Sequence, residues 1–395
     1  MQIVYSQEQA PTHFSKSIFL VGPTPRSPET PSWRPQMLQE LEAAGYDGVV
    51  FVPEPRDGSW NKNYFHQIEW EIQCLEMSDL ILAWVPRDLS TMPAFTTNVE
   101  FGRYVSSQKL IYGRPDTAAK IGYLDWTYKE QTKLEPYNTL QDMAEATVSR
   151  LSNATVRTDG ERNIPLHIWK TPMFQNWYGE MKAAGNRLDD AKVLWTFTIP
   201  KINFLFSYIL WVKVWIESEN RFKENEFIFS RSDISCILPY WLDTKSNQLL
   251  NTKVVLIKEF RSPVRNSDGF VHELPGGSSF KGHTDPLKIA SEELEEETGL
   301  KIDSSRFQQI QARQLASTLS THKAILFTIS LTDQEIQEAE AIAQKGDSFG
   351  VEEDTERTFV EVKTLREIME DDKVDWSMIG MMLNGIAKNE TPQKL

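Results

Sequence analysis

The feature that most narrows the possible folds is a rhythm near the start of the chain. Short apolar runs alternate there with stretches of helical periodicity. "SIFLVGP" is strand-like and ends in Gly-Pro, and "WRPQMLQELEAAG" has helical spacing with Gly45 as its stop. "DGVVFVPEP" is a second strand and "YFHQIEWEIQCLEMS" a second helix. "DLILAWVP" is a third strand, "NVEFGRYVSSQ" begins a third helix, and "KLIYGRP" is a fourth strand. An amphipathic helix around "NTLQDMAEATVSRL" closes the unit. This order predicts an α/β fold, a Rossmann-like parallel sheet with helices on both faces. Ligands of such sheets sit beyond the carboxyl ends of the strands.

At 395 residues the chain is too long for one ordinary core. The polar, aperiodic "NATVRTDGERNIP" places the boundary, giving domains 1–155 and 156–395. The second reads as α+β with a mixed sheet. Its strands are "AKVLWTFTI", "FSYILWVKVWI", "EFIFSRSDISCILPYW" and "TKVVLIKEFRSP", and "LREIME" and "SMIGMMLNGIA" are closing helices. A net charge of -14 argues against an extended nucleic-acid face. Two cysteines, Cys74 and Cys236, are too few for a disulfide framework or a zinc site and fit a reducing compartment. The N-terminus lacks the charged and apolar regions of an export signal. "FLFSYILWVKVWI" is too short to span a bilayer, so a cytoplasmic protein without a membrane partner is expected.

Two stretches carry chemistry. In "EELEEETGL" five glutamates fill six positions, and Glu293, Glu296 and Glu297 share one helix face. Such oxygen ligands suit Mg²⁺ or Mn²⁺, and a carbonyl of the preceding "LPGG" turn could approach the same ion. A solvated acidic face is the competing reading. In the first domain Glu100 lies at a helix start after the third strand, where the sheet presents its site. An N-terminal helix acid favoured by the dipole would look the same. Trp33 and Arg34 of "SWRPQ", and Trp60 and Asn61 of "GSWNKN", fall in loops on the ligand side. There they could stack a base and hold a phosphate, or simply pack.

"FLVGP", "EWEIQCLEMSDLILAWVP" and "MPAFTTNVEFGRY" together resemble the nucleoside 2-deoxyribosyltransferase family over about residues 17 to 125. Its Thr-x-x-Glu-x-Gly motif falls on Thr97, Asn98, Glu100 and Gly102, which implies that Glu100 is the nucleophile. The family's sugar-holding acid falls on Glu71, one methylene longer than the usual aspartate, with Glu69 a neighbouring candidate. Gly22 and Pro23 match its first substrate-contacting turn. The implied chemistry is that of a retaining glycosidase: a carboxylate attacks the anomeric carbon, and water or a second base resolves the glycosyl-enzyme. The resemblance also implies oligomers whose copies complete each other's sites.

"LPGG…EELEEETGL" resembles the Nudix box, and "VVLIKEFRSPV…HELPGG" its ADP-ribose pyrophosphatase branch, over roughly Lys192 to Lys388. The resemblance implies metal binding by Glu293, Glu296, Glu297 and the Gly276 carbonyl, with Arg261 on a diphosphate. A general base would come from "FGVEEDTERTF", where Glu353 is the choice among Glu352, Glu353, Asp354 and Glu356. Two positions depart from the box. Glu292 stands where an arginine orients the glutamates, and the first box glutamate falls on or beside His283. The combined expectation is a nucleotide-processing enzyme with a nucleoside, nucleotide or NAD-like substrate and a Mg²⁺-dependent second domain acting on a nucleoside diphosphate derivative such as ADP-ribose. The alternative is a nucleotide sensor, in which a catalytically weak second domain binds a ligand and controls the first.

Overall fold

Four consecutive strands of the first sheet bury both their faces, and the side chains sort by alternation. Ile18 and Leu20 of β3 (Ser17–Val21) enter one core, while Phe19 and Val21 enter the other. β4 (Val49–Val52), β5 (Leu80–Trp84) and β6 (Leu110–Gly113) divide in the same way. Runs that are apolar on both faces are what a helix-covered parallel sheet requires. A computed structural model describes residues 1–59, 63–199, 202, 204–245, 248–278, 285–350 and 357–389. In it these strands and β1 (Gln2–Tyr5) form a parallel sheet of order β1-β4-β3-β5-β6. β1 was not anticipated. It adds at the edge beside β4, pairing Gln2 with Val49 through Tyr5 with Val52.

The helices α1 (Arg34–Ala43), α2 (Tyr64–Met77), α3 (Phe95–Tyr104) and α5 (Leu140–Arg150) follow the expected rhythm, and α4 (Gly122–Thr132) is additional. Met37 and Leu41 of α1 and Met143 and Ala144 of α5 cover one face. Cys74 and Leu75 of α2, Phe101 of α3 and Tyr128 of α4 cover the other. α3 begins abruptly because Ala94 adopts a left-handed conformation, φ 60°, immediately before it. That turn fixes the register that presents Glu100.

The chain separates into two compact units at Ser230/Arg231, not at the expected 155/156. The polar segment read as a linker is held by the first unit. β2 (His13–Phe14) pairs antiparallel with β7 (Arg157–Thr158). The Arg157 guanidinium is fully buried and meets the equally buried Asp79 carboxylate at 2.6 Å, while also donating to the Ser15 and Ile164 carbonyls. Asp79 further accepts from the backbone N–H of Ser17 at 2.8 Å and of Leu166 at 2.9 Å. α6 (Leu166–Trp169) and α7 (Pro172–Ala183) then pack Trp169, Phe174 and Tyr178 into the first core. β8 (Arg187–Ile199), β9 (Phe204–Ile216) and β10 (Arg221–Arg231) follow as a sheet of order β10-β9-β8. Leu188, Tyr208 and Leu210 bury in the same core.

The stretch "EFIFSRSDISCILPYW" is therefore two strands, and the division between the units falls inside it. The second unit begins with β11 (Ile234–Trp241). Then come β12 (Lys253–Phe260), β13 (Phe270–Glu273), β14 (Gly276–Gly277), α8 (Pro286–Thr298) and β15 (Gln308–Gln314). β16 (Lys323–Ser330), α9 (Asp333–Lys345), β17 (Ser348–Phe349), β18 (Thr358–Thr364), α10 (Leu365–Glu370) and α11 (Trp376–Asn389) complete it. Its sheet runs β15-β16-β11-β12-β18-β17, with β13 on β12 and β14 on β11. β11 and β16 are parallel and the other pairs antiparallel, so the sheet is mixed. One face packs Ala290 and Leu294 of α8 with Ile336 of α9, and the other packs Met382 and Ile386 of α11. Among the described residues no helix is long and apolar enough to cross a membrane.

Candidate active site

The first unit gathers its charges beyond the carboxyl ends of β3 and β4. Gly22 follows β3, and a Cβ there would lie 2.3 Å from the Trp84 carbonyl oxygen and 2.6 Å from the Trp33 ring. Only a glycine allows the strand end to pack so closely. Trp33 is 7% exposed and donates its indole N–H to the Pro23 carbonyl at 3.2 Å. It supports the Gly22-Pro23 turn from beneath and offers no free face, which corrects the expectation of a base-stacking ring.

Arg34 is corrected in the same sense. It is 1% exposed, and its Nε–H donates to Leu20 O at 3.3 Å. Its Nη2 donates to Gly22 O at 2.7 Å, and its Nη1 donates to Thr24 Oγ1 at 3.3 Å and Glu54 Oε1 at 2.6 Å. Glu54 also accepts from the Ser32 hydroxyl at 3.0–3.1 Å. The guanidinium thus clamps the end of β3 to the end of β4 and leaves a buried positive charge there.

That charge is felt by two further carboxylates. Arg34 interacts electrostatically with Glu54, Glu100 and Glu71. Burial pushes the Glu100 carboxyl up to about 8, the Glu71 charge adds to the rise, and Arg34 opposes it. Burial also raises Glu71, against the Gln67 hydrogen bond and Arg34. Gln67 is buried and donates to Glu71 Oε1 at 2.6 Å, and its own carbonyl accepts from the Ser6 hydroxyl. One turn apart on α2, Gln67 and Glu71 form a relay that fixes the Glu71 carboxylate. Sequence reasoning missed Gln67 and Glu54. The four-residue spacing before Glu71 was the available signal for the first; Glu54 only acquires meaning once Arg34 is placed.

Thr97 is buried and lies three residues before Glu100, on the same helix face. Asn98 lies two residues before it and so faces elsewhere; its side-chain oxygen accepts from Arg87, which also donates to Lys120 O at 2.9 Å. The structure therefore brings together Gly22, Pro23, Glu71, Thr97 and Glu100, and it does not bring Asn98 to them. Trp60 and Asn61 lie outside the described residues.

In the second unit α8 stands against the glycine turn. Glu297 is 3% exposed and accepts the Gly276 N–H at 2.8 Å. A Cβ on Gly277 would fall 2.2 Å from Glu293 Oε1, so this carboxylate lies directly against the turn. Glu296 is exposed on the same helix. Glu292 pairs with Lys288 at 3.7 Å, and Glu295 with Lys301 at 2.8 Å, so part of the like-charge repulsion on α8 is locally offset. Arg261 is engaged by Glu259 at 2.8 Å and Glu273 at 3.0 Å. Among the described residues no three His, Cys, Asp or Glu side chains converge closely enough to hold a metal ion. His283, Glu352, Glu353, Asp354 and Glu356 lie outside the described residues.

Residues 15–117 match the family model described as "Nucleoside 2-deoxyribosyltransferase like". This span is 103 of the 395 residues and contains Gly22, Arg34, Gln67, Glu71, Thr97 and Glu100. Among curated proteins no match is found.

Proposed function

We propose that the first unit is an enzyme that breaks the N-glycosidic bond of a nucleoside or nucleotide, with Glu100 as nucleophile. The observation that carries this reading is the meeting of Glu100, Glu71 and Arg34 at the carboxyl end of a parallel sheet, inside the family-matched span. Glu100 attacks the anomeric carbon, and the electron pair of the breaking bond leaves with the base, which takes up a proton. Glu71, fixed by Gln67, accepts from a sugar hydroxyl. The glycosyl ester on Glu100 then passes its sugar to water or to an acceptor base. Attack requires ionised Glu100, so base release should rise with pH through about 8, the value to which burial pushes this carboxyl. Chromatographic detection of free base across a panel of purine and pyrimidine nucleosides, nucleotides and NAD is the test. No base released from any of them between pH 6 and 9 would end the proposal.

For the second unit we propose binding of a nucleoside diphosphate derivative with Mg²⁺ or Mn²⁺. Its support is the seating of Glu293 and Glu297 on the Gly276-Gly277 turn. These hard oxygen donors fit such an ion in kind, and the exposed Glu296 of the same helix would have to swing in to join them, since no three such side chains converge among the described residues. The ion, when bound, would neutralise diphosphate charge. With millimolar Mg²⁺ about ten times the dissociation constant, stabilisation is about 1.4 kcal/mol. A rise of about 3–6 °C in the melting of this unit should follow. Glu296→Gln combined with Glu297→Gln should remove it. Melting indifferent to both ions in the wild type would leave α8 an ordinary acidic surface. The joint use of one dinucleotide by both units, and control of the first unit by the second, extend this reading.

A further inference from the structure

A second cavity, of about 400 Å³, opens at the other edge of the first unit's parallel sheet. Its walls come from the carboxyl ends of α2 and α3, the segment that enters β6, and β8. Glu100 lies midway along α3 (Phe95–Tyr104), not at its start as the sequence suggested, and this cavity opens about one turn further on, where α2 and α3 end and β6 begins.

Its electrostatics differ from the chain as a whole. Arg103, Lys109 and Lys192 line it against one acid, Glu76, in a protein of net charge -14. Glu76 Oε1 is shared by Arg103 at 2.9 Å and Lys192 at 3.0 Å, so one carboxylate oxygen is shared between two cations. Lys109 is 5% exposed and donates to the carbonyls of Leu75 and Glu76, and burial pushes its ammonium down to about 7.

Two buried polar atoms of the lining have no hydrogen-bond partner among the described residues: the Tyr104 hydroxyl and His167 Nε2. Buried polar groups nearly always find partners, so an unmet donor on a cationic cavity points to an acceptor that binds there. The Tyr104 side chain is itself 7% exposed.

β8 supplies an aromatic wall. Val193 pairs with Leu210 and Trp195 with Ile209, so Leu194 is an extra residue, a β-bulge. The bulge interrupts the alternation and brings Trp195 to the same cavity as Lys192. Trp195 is 46% exposed and stacks on Phe197 at 5.9 Å and 7°. A ring held from behind with its other face accessible is a stacking platform for a planar ligand.

We propose that this cavity is a second binding site, for a nucleoside monophosphate, separate from the site at Glu100. The phosphate lies among Arg103, Lys192 and the Tyr104 hydroxyl, and the base lies on Trp195. The volume is within the range of small-molecule sites. The proposal does not depend on what Glu100 does.

Calorimetry of the full chain with adenosine 5′-monophosphate, uridine 5′-monophosphate and inorganic phosphate tests it, in a Glu100→Gln background that prevents turnover. Saturable binding of at least one monophosphate is expected. Lys192→Glu should weaken it about tenfold or more, and Tyr104→Phe and Trp195→Ala each by a smaller factor. All three side chains can be changed without opening the sheet core, and Lys192→Glu should keep the base-release activity of the otherwise unaltered chain. Failure of the Glu100 reading would show in that activity and leave the calorimetry intact. Three results would overturn the proposal: no saturable binding at millimolar ligand, affinity indifferent to Lys192→Glu and Trp195→Ala, or inorganic phosphate bound as tightly as the monophosphates.

Discussion

Glu100→Gln should abolish release of base, by at least about a thousandfold, from whichever nucleoside or nucleotide the wild type cleaves. The amide keeps the volume and loses the nucleophile, and Glu71, held by Gln67 at 2.6 Å, has no equivalent approach. The same variant has a stability signature with a fixed sign. Burial raises the folded-state pKa of Glu100 from the ordinary 4.5 to about 8. The folded chain therefore binds more protons than the unfolded chain between those values, and stability falls as pH rises through them. The contribution is intact below about 4.5 and lost above about 8. The full gap sets a ceiling of about 5 kcal/mol, and solvent access to a half-buried carboxylate brings it to about 1–3 kcal/mol. Glu100→Gln should therefore melt higher than the wild type at pH 9 and alike at pH 4.5. Undiminished base release by the variant would remove Glu100 from the chemistry. Equal melting at pH 9 would remove the electrostatic cost assigned to it.

Arg157→Met should destabilise the first unit by about 3–5 kcal/mol, because it leaves the buried Asp79 charge uncompensated. A domain stable by about 5–15 kcal/mol can lose much of its folded population this way. Adding Asp79→Asn to Arg157→Met should recover part of the loss, since asparagine removes the charge and keeps an acceptor for Leu166 N–H. Ending the chain at residue 155 removes the same clamp along with Trp169, Phe174 and Tyr178 of the core. That fragment should fail to fold cooperatively. Urea titration followed by tryptophan fluorescence measures each case. A loss under about 1 kcal/mol for Arg157→Met would show that the pair is incidental.

The parallel sheet was legible because its inner strands are apolar on both faces and the helices between them keep their period. β1 escaped notice because "QIVY" is short and precedes the rhythm, and α4 because Tyr123 and Trp126 are exposed on it and blur its amphipathic pattern. The boundary was misplaced for a physical reason. "NATVRTDGERNIP" is polar in sequence, yet its Arg157 is fully buried against an aspartate 78 residues away. Local composition carries no record of such a partner. The site divides in the same way. Motif and spacing singled out Glu100 and Glu71, which the structure places within electrostatic reach of each other, whereas Trp33 and Arg34 looked like exposed loop residues and are interior supports. The shift of Lys192 and Trp195 onto one cavity depends on a bulge that no periodicity reveals.

The Asp79–Arg157 pair also sets an order of events during synthesis. When the strand carrying Asp79 emerges from the ribosome, its counter-charge has not been made. At about 5–20 residues per second the wait is about 4–16 s. Through that interval the nascent sheet must either stay open to water at Asp79 or bury a bare carboxylate, and the second is the costlier state. Closure of the first unit is thus timed by the arrival of residues 157 to 166, which act as its latch. A nascent chain paused before them would present the half-made sheet to chaperones.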